Sequence, residues 1–258
     1  MRYFIWKEPR RLQEKAEQDR ARFFSQIQFL KNQPVVPDPS LDNLSESARR
    51  IMIKTCVDPP KELTVLYEEL GFHPQTGRRA IDELLAGGLV KIHTLPRLGR
   101  GGRPRVIEIL PEADKILDRI GIQRPALYLK GGWKHSLYGW LVQQWAIQSN
   151  HQSQFDQTFG SKNFDILLRP SDGTIKAVEI CLSGSAGRTA EQLLHGLKRI
   201  GLAELIAVFE SKTLLDQSRG AVQKIDVDDL ATGRLQLRLI AEFVELQFGG
   251  KKPCRTRD

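Results

Sequence analysis

Residues 84–117 read LLAGGLVKIHTLPRLGRGGRPRVIEILPEADKIL. Helical spacing runs up to Leu85 and stops at Gly87-Gly88, the residues that most readily end a helix. Then LVKIHTL (89–95) alternates with the period of a strand, and RVIEIL (105–110) does so again. Between them PRLGRGGRP (96–104) supplies turn residues, so the pair predicts a β-hairpin with a Gly/Arg-rich tip. Residues 111–120 predict a short closing helix.

Upstream, three helices are expected. Ser45 is placed to cap a helix over 46–57, which Pro59-Pro60 would stop. Residues 61–70 form a second helix ending at Gly71. Residues 74–86 form a third, with Pro74 in its first turn. On that third helix Ala80, Ile81, Leu84 and Leu85 share a face expected to pack on the first two helices. The opposite face carries Gln75, Arg78, Arg79 and Asp82. Three helices followed by a basic hairpin is the order of a winged helix-turn-helix. The segment 84–117 resembles the winged-helix regulators of the MarR and related groups, over roughly residues 43–121. That resemblance implies contact with double-stranded DNA. An α-helix fits the major groove, where Arg and Gln make paired contacts to guanine and adenine edges. Gln75, Arg78, Arg79 and Asp82 are the expected groove residues. Arg97, Arg100, Arg103 and Arg105, set among Gly99, Gly101 and Gly102, are expected at the phosphate backbone or minor groove.

Before this domain, residues 7–32 predict a helical arm with Phe23, Phe24, Ile27 and Leu30 on one stripe, and the proline-rich 33–42 a linker. After it, 122–131 predicts an inter-domain link, and 132–250 a second domain. Its expected order is a helix at 133–149, strands at 163–169 and 174–182, and a helix at 188–200. A strand at 203–209, a helix at 211–223 and a strand or helix at 235–248 follow. That order predicts an α/β domain with a mixed sheet, so the chain as a whole is α+β / α/β.

The hairpin NFDILLRPSDGTIKAVEICL (163–182) carries Asp165 on its first strand and Glu179 on its second. It resembles the core of the restriction-endonuclease-like superfamily over about 132–210. The resemblance implies Asp165 and Glu179 as catalytic residues and ligands of Mg²⁺, a hard cation that prefers oxygen. It also implies a lysine two residues after Glu179, and that position is Cys181. By strand alternation Ala177, Glu179 and Cys181 share one face, and Lys176 points to the other. Lys162 is expected to face away from the site, and Lys198 is a candidate for a relocated lysine. Glu179 needs a cation or a partner if buried, with Arg188 and His135 as candidates. EICLSGSAGRTAEQLLHGLKRI followed by AELIAVF resembles members of this superfamily that lack the lysine and occur in proteins of mobile genetic elements. The loop SGSAG (183–187) is followed by no GK[ST], so no nucleotide is expected there.

The 258 residues allow two cores, and 40% hydrophobic with 27% charged residues is ordinary for a globular protein. The net charge of +8 suits an acidic partner. Its excess is shared, with 21 basic against 17 acidic residues in 1–121 and 18 against 14 in 122–258. Local clusters therefore carry the information, at 95–107 and in the tail 251–257. Cys56, Cys181 and Cys254 form no zinc or disulfide pattern, so a reducing cytoplasm is expected. No signal-peptide or membrane-spanning pattern is found, so no membrane association is expected. Three readings stand at this level. The first is a double-stranded DNA binder of a mobile element or plasmid system, with a degenerate nuclease-like domain and no cofactor. The second is a Mg²⁺-dependent DNA endonuclease. The third is a dimeric transcriptional regulator. A homodimer or a larger nucleoprotein complex is compatible with each.

Overall fold

Ser45 begins the described fold as a cap. In a computed structural model of the chain, residues 43–98, 102–122, 132–160, 162–200, 202–226 and 228–249 are described (199 and 200 by backbone only). The arm and linker expected at 1–42, most of the link at 122–131, Arg100 and the basic tail lie outside the described residues.

The Ser45 hydroxyl accepts from the Ala48 N–H at 3.2 Å and so caps α1 (Glu46–Val57). Ser45 is itself held from outside its own helix. Its N–H and its hydroxyl both donate to the Glu83 carboxylate at 2.6 Å. Glu83 lies on α3 (Pro74–Ala86), with α2 (Leu63–Glu69) preceding it. Glu83 thereby ties the start of α1 to α3. Glu83→Ala is expected to cost about 1–2 kcal/mol, by loss of charge-assisted bonds and a misplaced cap. A urea melt of the variant checks this.

Ala80, Ile81 and Leu84 of α3 are buried with Ile51 and Met52 of α1 and with Leu63 and Leu66 of α2. Leu85, expected on that buried face, is instead 39% exposed, a correction. At 100° per residue it falls past the edge of the stripe set by Ile81 and Leu84. The hairpin follows as β1 (Val90–Thr94) and β2 (Arg105–Ile109), antiparallel with Val90 opposite Ile109. A single 3₁₀ turn at Pro111–Ala113 and α4 (Asp114–Arg119) close this core.

The second half begins with α5 (Trp133–Gln148). A five-stranded sheet then runs in spatial order β3 (Gln152–Phe159), β4 (Lys162–Arg169), β5 (Lys176–Cys181), β6 (Glu204–Phe209), β7 (Leu235–Leu239). The first three strands pair antiparallel, and β5/β6 and β6/β7 pair parallel, so the sheet is mixed. The parallel crossovers run through α6 (Ala186–Ile200) and through α7 (Lys212–Ile225) with the short α8 (Asp228–Ala231). Core residues of α6 and α7 pack with Leu167, Ala177 and Leu205 on one face of the sheet. Core residues of α5 and of the last helix, α9 (Ile240–Phe248), pack with Ile166, Val178 and Val208 on the other. The result is a three-layer sandwich.

Two sequence expectations need correction here. The polar segment QSQFDQTF was not expected as a strand, yet it forms the edge strand β3. An edge strand exposes alternate positions, so Gln152, Gln154, Gln157 and Thr158 face solvent and only Phe155 and Phe159 are half-buried apolar residues. The segment expected as either strand or helix at 235–248 is both: it switches at Leu239–Ile240, where Glu242 accepts from the Leu239 N–H at 2.9 Å.

The hairpin is not free of the sandwich. Leu95 and Val106 are buried in the core formed by α5 and α9 rather than in the helical core of the first half. Residues 40–258 accordingly form one unit by contact. Among the described residues, no helix is long and apolar enough to cross a membrane.

Candidate nucleic-acid interface and carboxylate site

The candidate nucleic-acid face is built on α3. Pro74 sits in its first turn, and the preceding His73 accepts from the Gln75 N–H at 3.4 Å, which sets the helix start. Gln75, Arg78, Arg79 and Asp82 are all exposed, as the helical period dictates once Gly77, Ala80, Ile81 and Leu84 are buried. Gly77 is required by a close approach: a Cβ there would stand 2.6–2.7 Å from three ring atoms of Tyr67. Burial pushes the Tyr67 hydroxyl above the ordinary tyrosine value; Arg105 and Arg78 oppose the rise and Asp82 adds to it. On the hairpin, Arg103 and Arg105 are exposed.

Arg97 is placed differently from the other hairpin arginines. Its Nε lies 3.2 Å and its Nη2 3.4 Å from the Glu245 carboxylate of α9, and its Nη1 donates to the Gly102 carbonyl at 3.0 Å. This forked contact holds the hairpin to the sandwich and closes its own loop. Nearby, His93 of β1 stacks on Trp133 with ring centroids 4.3 Å apart, and contacts Glu108 at 2.6 Å.

The first turn of α5 continues from that stack into the sandwich. Trp133 meets the hairpin, Lys134 pairs with Glu210, and His135 Nε2 lies 3.2 Å from Asp165 Oδ2. The β4/β5 ladder is paired from Leu168 opposite Lys176 to Ile166 opposite Val178. Beyond it, Asp165 Oδ2 accepts from the Ile180 N–H at 2.7 Å, so a side chain takes over the bond that the ladder no longer makes. Alternation breaks at the same place. Ile166 packs toward α5 and α9, whereas Phe164 packs toward α6 and α7.

Glu179 lies between Ala177 and Cys181 on the strand face toward α6, as alternation requires. Its Oε1 is 2.6 Å from Lys162 Nζ. This corrects three expectations. Lys162 does not face away: it shares a face with Phe164, two residues on, because of the break in alternation. Lys198 is not a relocated lysine, for it pairs with Asp226. Glu179 is partnered by Lys162 rather than by Arg188 or His135, and His135 belongs to Asp165.

Burial holds the Glu179 carboxyl above the usual carboxylate range, with Lys162 opposing that rise. Burial, Glu179 and Asp165 together push the Cys181 thiol up to about 12, which disfavours its thiolate form. For His135, burial pulls the pKa down, but the hydrogen bond and charge of Asp165 outweigh it and leave it above the ordinary 6.5. A base with a raised folded pKa contributes stability that is full below pH 6.5 and is lost as pH rises through the folded value. Wild-type melting temperature is therefore expected to fall across this window, and His135→Gln to flatten the slope. Melts at half-unit pH intervals from 5.5 to 8.5 check this.

Both carboxylates already have partners within the protein. One oxygen of Asp165 is taken by Ile180 and His135, and the Glu179 carboxylate carries an ammonium. Among the described residues, no group of three or more His, Cys, Asp or Glu side chains is arranged to hold a metal. Comparison with protein-family models and with curated proteins returns no match for the chain.

Proposed function

We propose that the protein binds double-stranded DNA through its first half, a winged helix, and that its second half is a restriction-endonuclease-like core that does not cut. One observation carries the reading. The exposed face of α3 (Gln75, Arg78, Arg79 and Asp82) and the exposed Arg103 and Arg105 of the hairpin bear a guanidinium excess suited to phosphates and base edges. The hairpin supports it, because Leu95, Val106 and Arg97 fix it against the sandwich, which lowers the ordering cost on binding. The Asp165–Glu179 hairpin with the following α6 and β6 supports the nuclease-like assignment of the core. Lys162 and His135 on its carboxylates support an inert site. A mobile genetic element or plasmid system is the proposed setting, on the resemblance of 179–209.

A second reading, a metal-dependent endonuclease, is favoured by Lys162 alone, since it brings an ammonium to Glu179 although Cys181 stands where a lysine is expected. Selection from a random-sequence duplex pool with Mn²⁺ present separates the two. Enrichment of one sequence with DNA length unchanged is the expected result. Cleavage that Glu179→Ala abolishes would establish the enzyme instead. Absence of binding at moderate salt would overturn DNA binding.

A further inference from the structure

The two carboxylates of the β4/β5 hairpin each have a basic partner: Lys162 on Glu179 and His135 on Asp165. A divalent cation held at such a site draws on several oxygen ligands and leaves room for water. An ammonium needs only one close carboxylate, and in a half-buried site it supplies the compensating charge without a coordination shell. The surroundings of Lys162 are shaped for the second case. Its Nζ lies 2.6 Å from Glu179 Oε1, 3.5 Å from the Gln192 carbonyl of α6 and 4.8 Å from the centre of the Phe164 ring. These are an anion, a carbonyl dipole and an aromatic face, each attractive to a cation. Helix α6 leaves space for it at Gly196, where a Cβ would come within 3.1 Å of Nζ and 3.3 Å of Cδ. The ammonium lies in a slot between helix and sheet rather than on the surface.

We propose that Lys162 is the resident cation of this site. Its ammonium, seated in the slot opposite Gly196, takes the charge-compensating place at Glu179 that the resemblance assigns to a divalent metal, and it keeps such a metal out. The inference deepens the non-cutting reading of the second half, and its test reads metal rather than DNA, so the two can fail separately.

The test is a Mn²⁺ titration of the full chain followed by electron paramagnetic resonance. Wild type and Glu179→Gln are expected to bind Mn²⁺ alike. Lys162→Met keeps the apolar stem on Phe164 and removes the charge, leaving Glu179 uncompensated. It is expected to gain one Mn²⁺ site, tighter by about tenfold or more than any wild-type binding there, because the buried carboxylate then lacks a counter-charge. Lys162→Met/Glu179→Gln should lose that site. A wild-type Mn²⁺ site that Glu179→Gln removes overturns the proposal. So does a Lys162→Met protein with a wild-type circular dichroism spectrum that gains none. If Lys162→Met does not fold, the comparison of wild type with Glu179→Gln decides. A wild-type Mn²⁺ site that depends on Glu179, found without cleavage, would sink the lysine assignment and leave the non-cutting DNA binder standing.

Discussion

Arg78→Ala/Arg79→Ala is expected to abolish sequence preference in DNA binding while leaving the fold intact. Both side chains are exposed on α3, and the helix is held from its other face by Ala80, Ile81 and Leu84. Removing them costs no packing. A good paired contact to a base edge discriminates by about 1–3 kcal/mol, so losing two should weaken the preferred site roughly 30-fold or more. Binding to random duplex should change far less. Arg103→Ala and Arg105→Ala are expected to act differently, weakening all sequences alike and lowering the salt slope by about one each, as phosphate contacts do. Arg97→Ala separates contact from architecture. Its guanidinium is engaged by Glu245, so any effect on DNA should be matched by Glu245→Ala, which removes no positive charge. Fluorescence anisotropy at several salt concentrations reads all of these. If the α3 double variant and the hairpin variants bind both duplexes like wild type, this surface is not the DNA face.

The first half was legible because its boundaries are written in residues whose chemistry is local. Ser45, Pro59-Pro60, Pro74 and Gly87-Gly88 end or begin helices by backbone geometry and hydrogen bonding alone, and the observed α1 and α3 have the expected bounds. The sandwich was legible where strands are buried on both faces, as in β6, and not where burial is one-sided, as in the polar β3. The carboxylate site was half legible. Asp165 and Glu179 were singled out by the resemblance of the 163–182 hairpin to a known core, not by composition. Their partners were not, because they depend on where the β4/β5 ladder stops. Counting back from Asp165 by strict alternation turns Lys162 away from the site. Counting from Phe164, whose large apolar ring has to be buried, turns it toward α6, and that was the available signal. The His135–Asp165 contact and the Arg97–Glu245 fork join residues 30 and 148 positions apart, and pattern within one segment carries no information about either.

Gly77→Ala is the single substitution expected to damage stability and DNA binding together. Alanine is the better helix former by about 1 kcal/mol, so in an open position the change would stabilise α3. Here the new Cβ meets three atoms of the Tyr67 ring at 2.6–2.7 Å, one of them Cγ at the base of the ring. Rotating the ring tip away cannot relieve a contact at its base, and Tyr67 is itself buried against α3. Overpacking of this kind typically costs about 1–3 kcal/mol, so after the helix gain of about 1 kcal/mol a net loss of up to about 2 kcal/mol is expected in a urea melt. The strain has one direct outlet, movement of α3 away from α2. That movement displaces Arg78 and Arg79, the next two residues, from their place relative to the rest of the fold. Specific DNA affinity should therefore drop by more than the loss of folded protein accounts for. Tyr67→Leu supplies the control, because a flexible side chain can yield to the methyl group. In Tyr67→Leu/Gly77→Ala the two stability losses should sum to less than their separate values, as coupled neighbours do. Strict additivity would show that α3 does not seat on the Tyr67 ring as described. A Gly77→Ala protein with lowered stability but undiminished specific affinity would show that the seating of α3 on the Tyr67 ring is not what aligns the arginines.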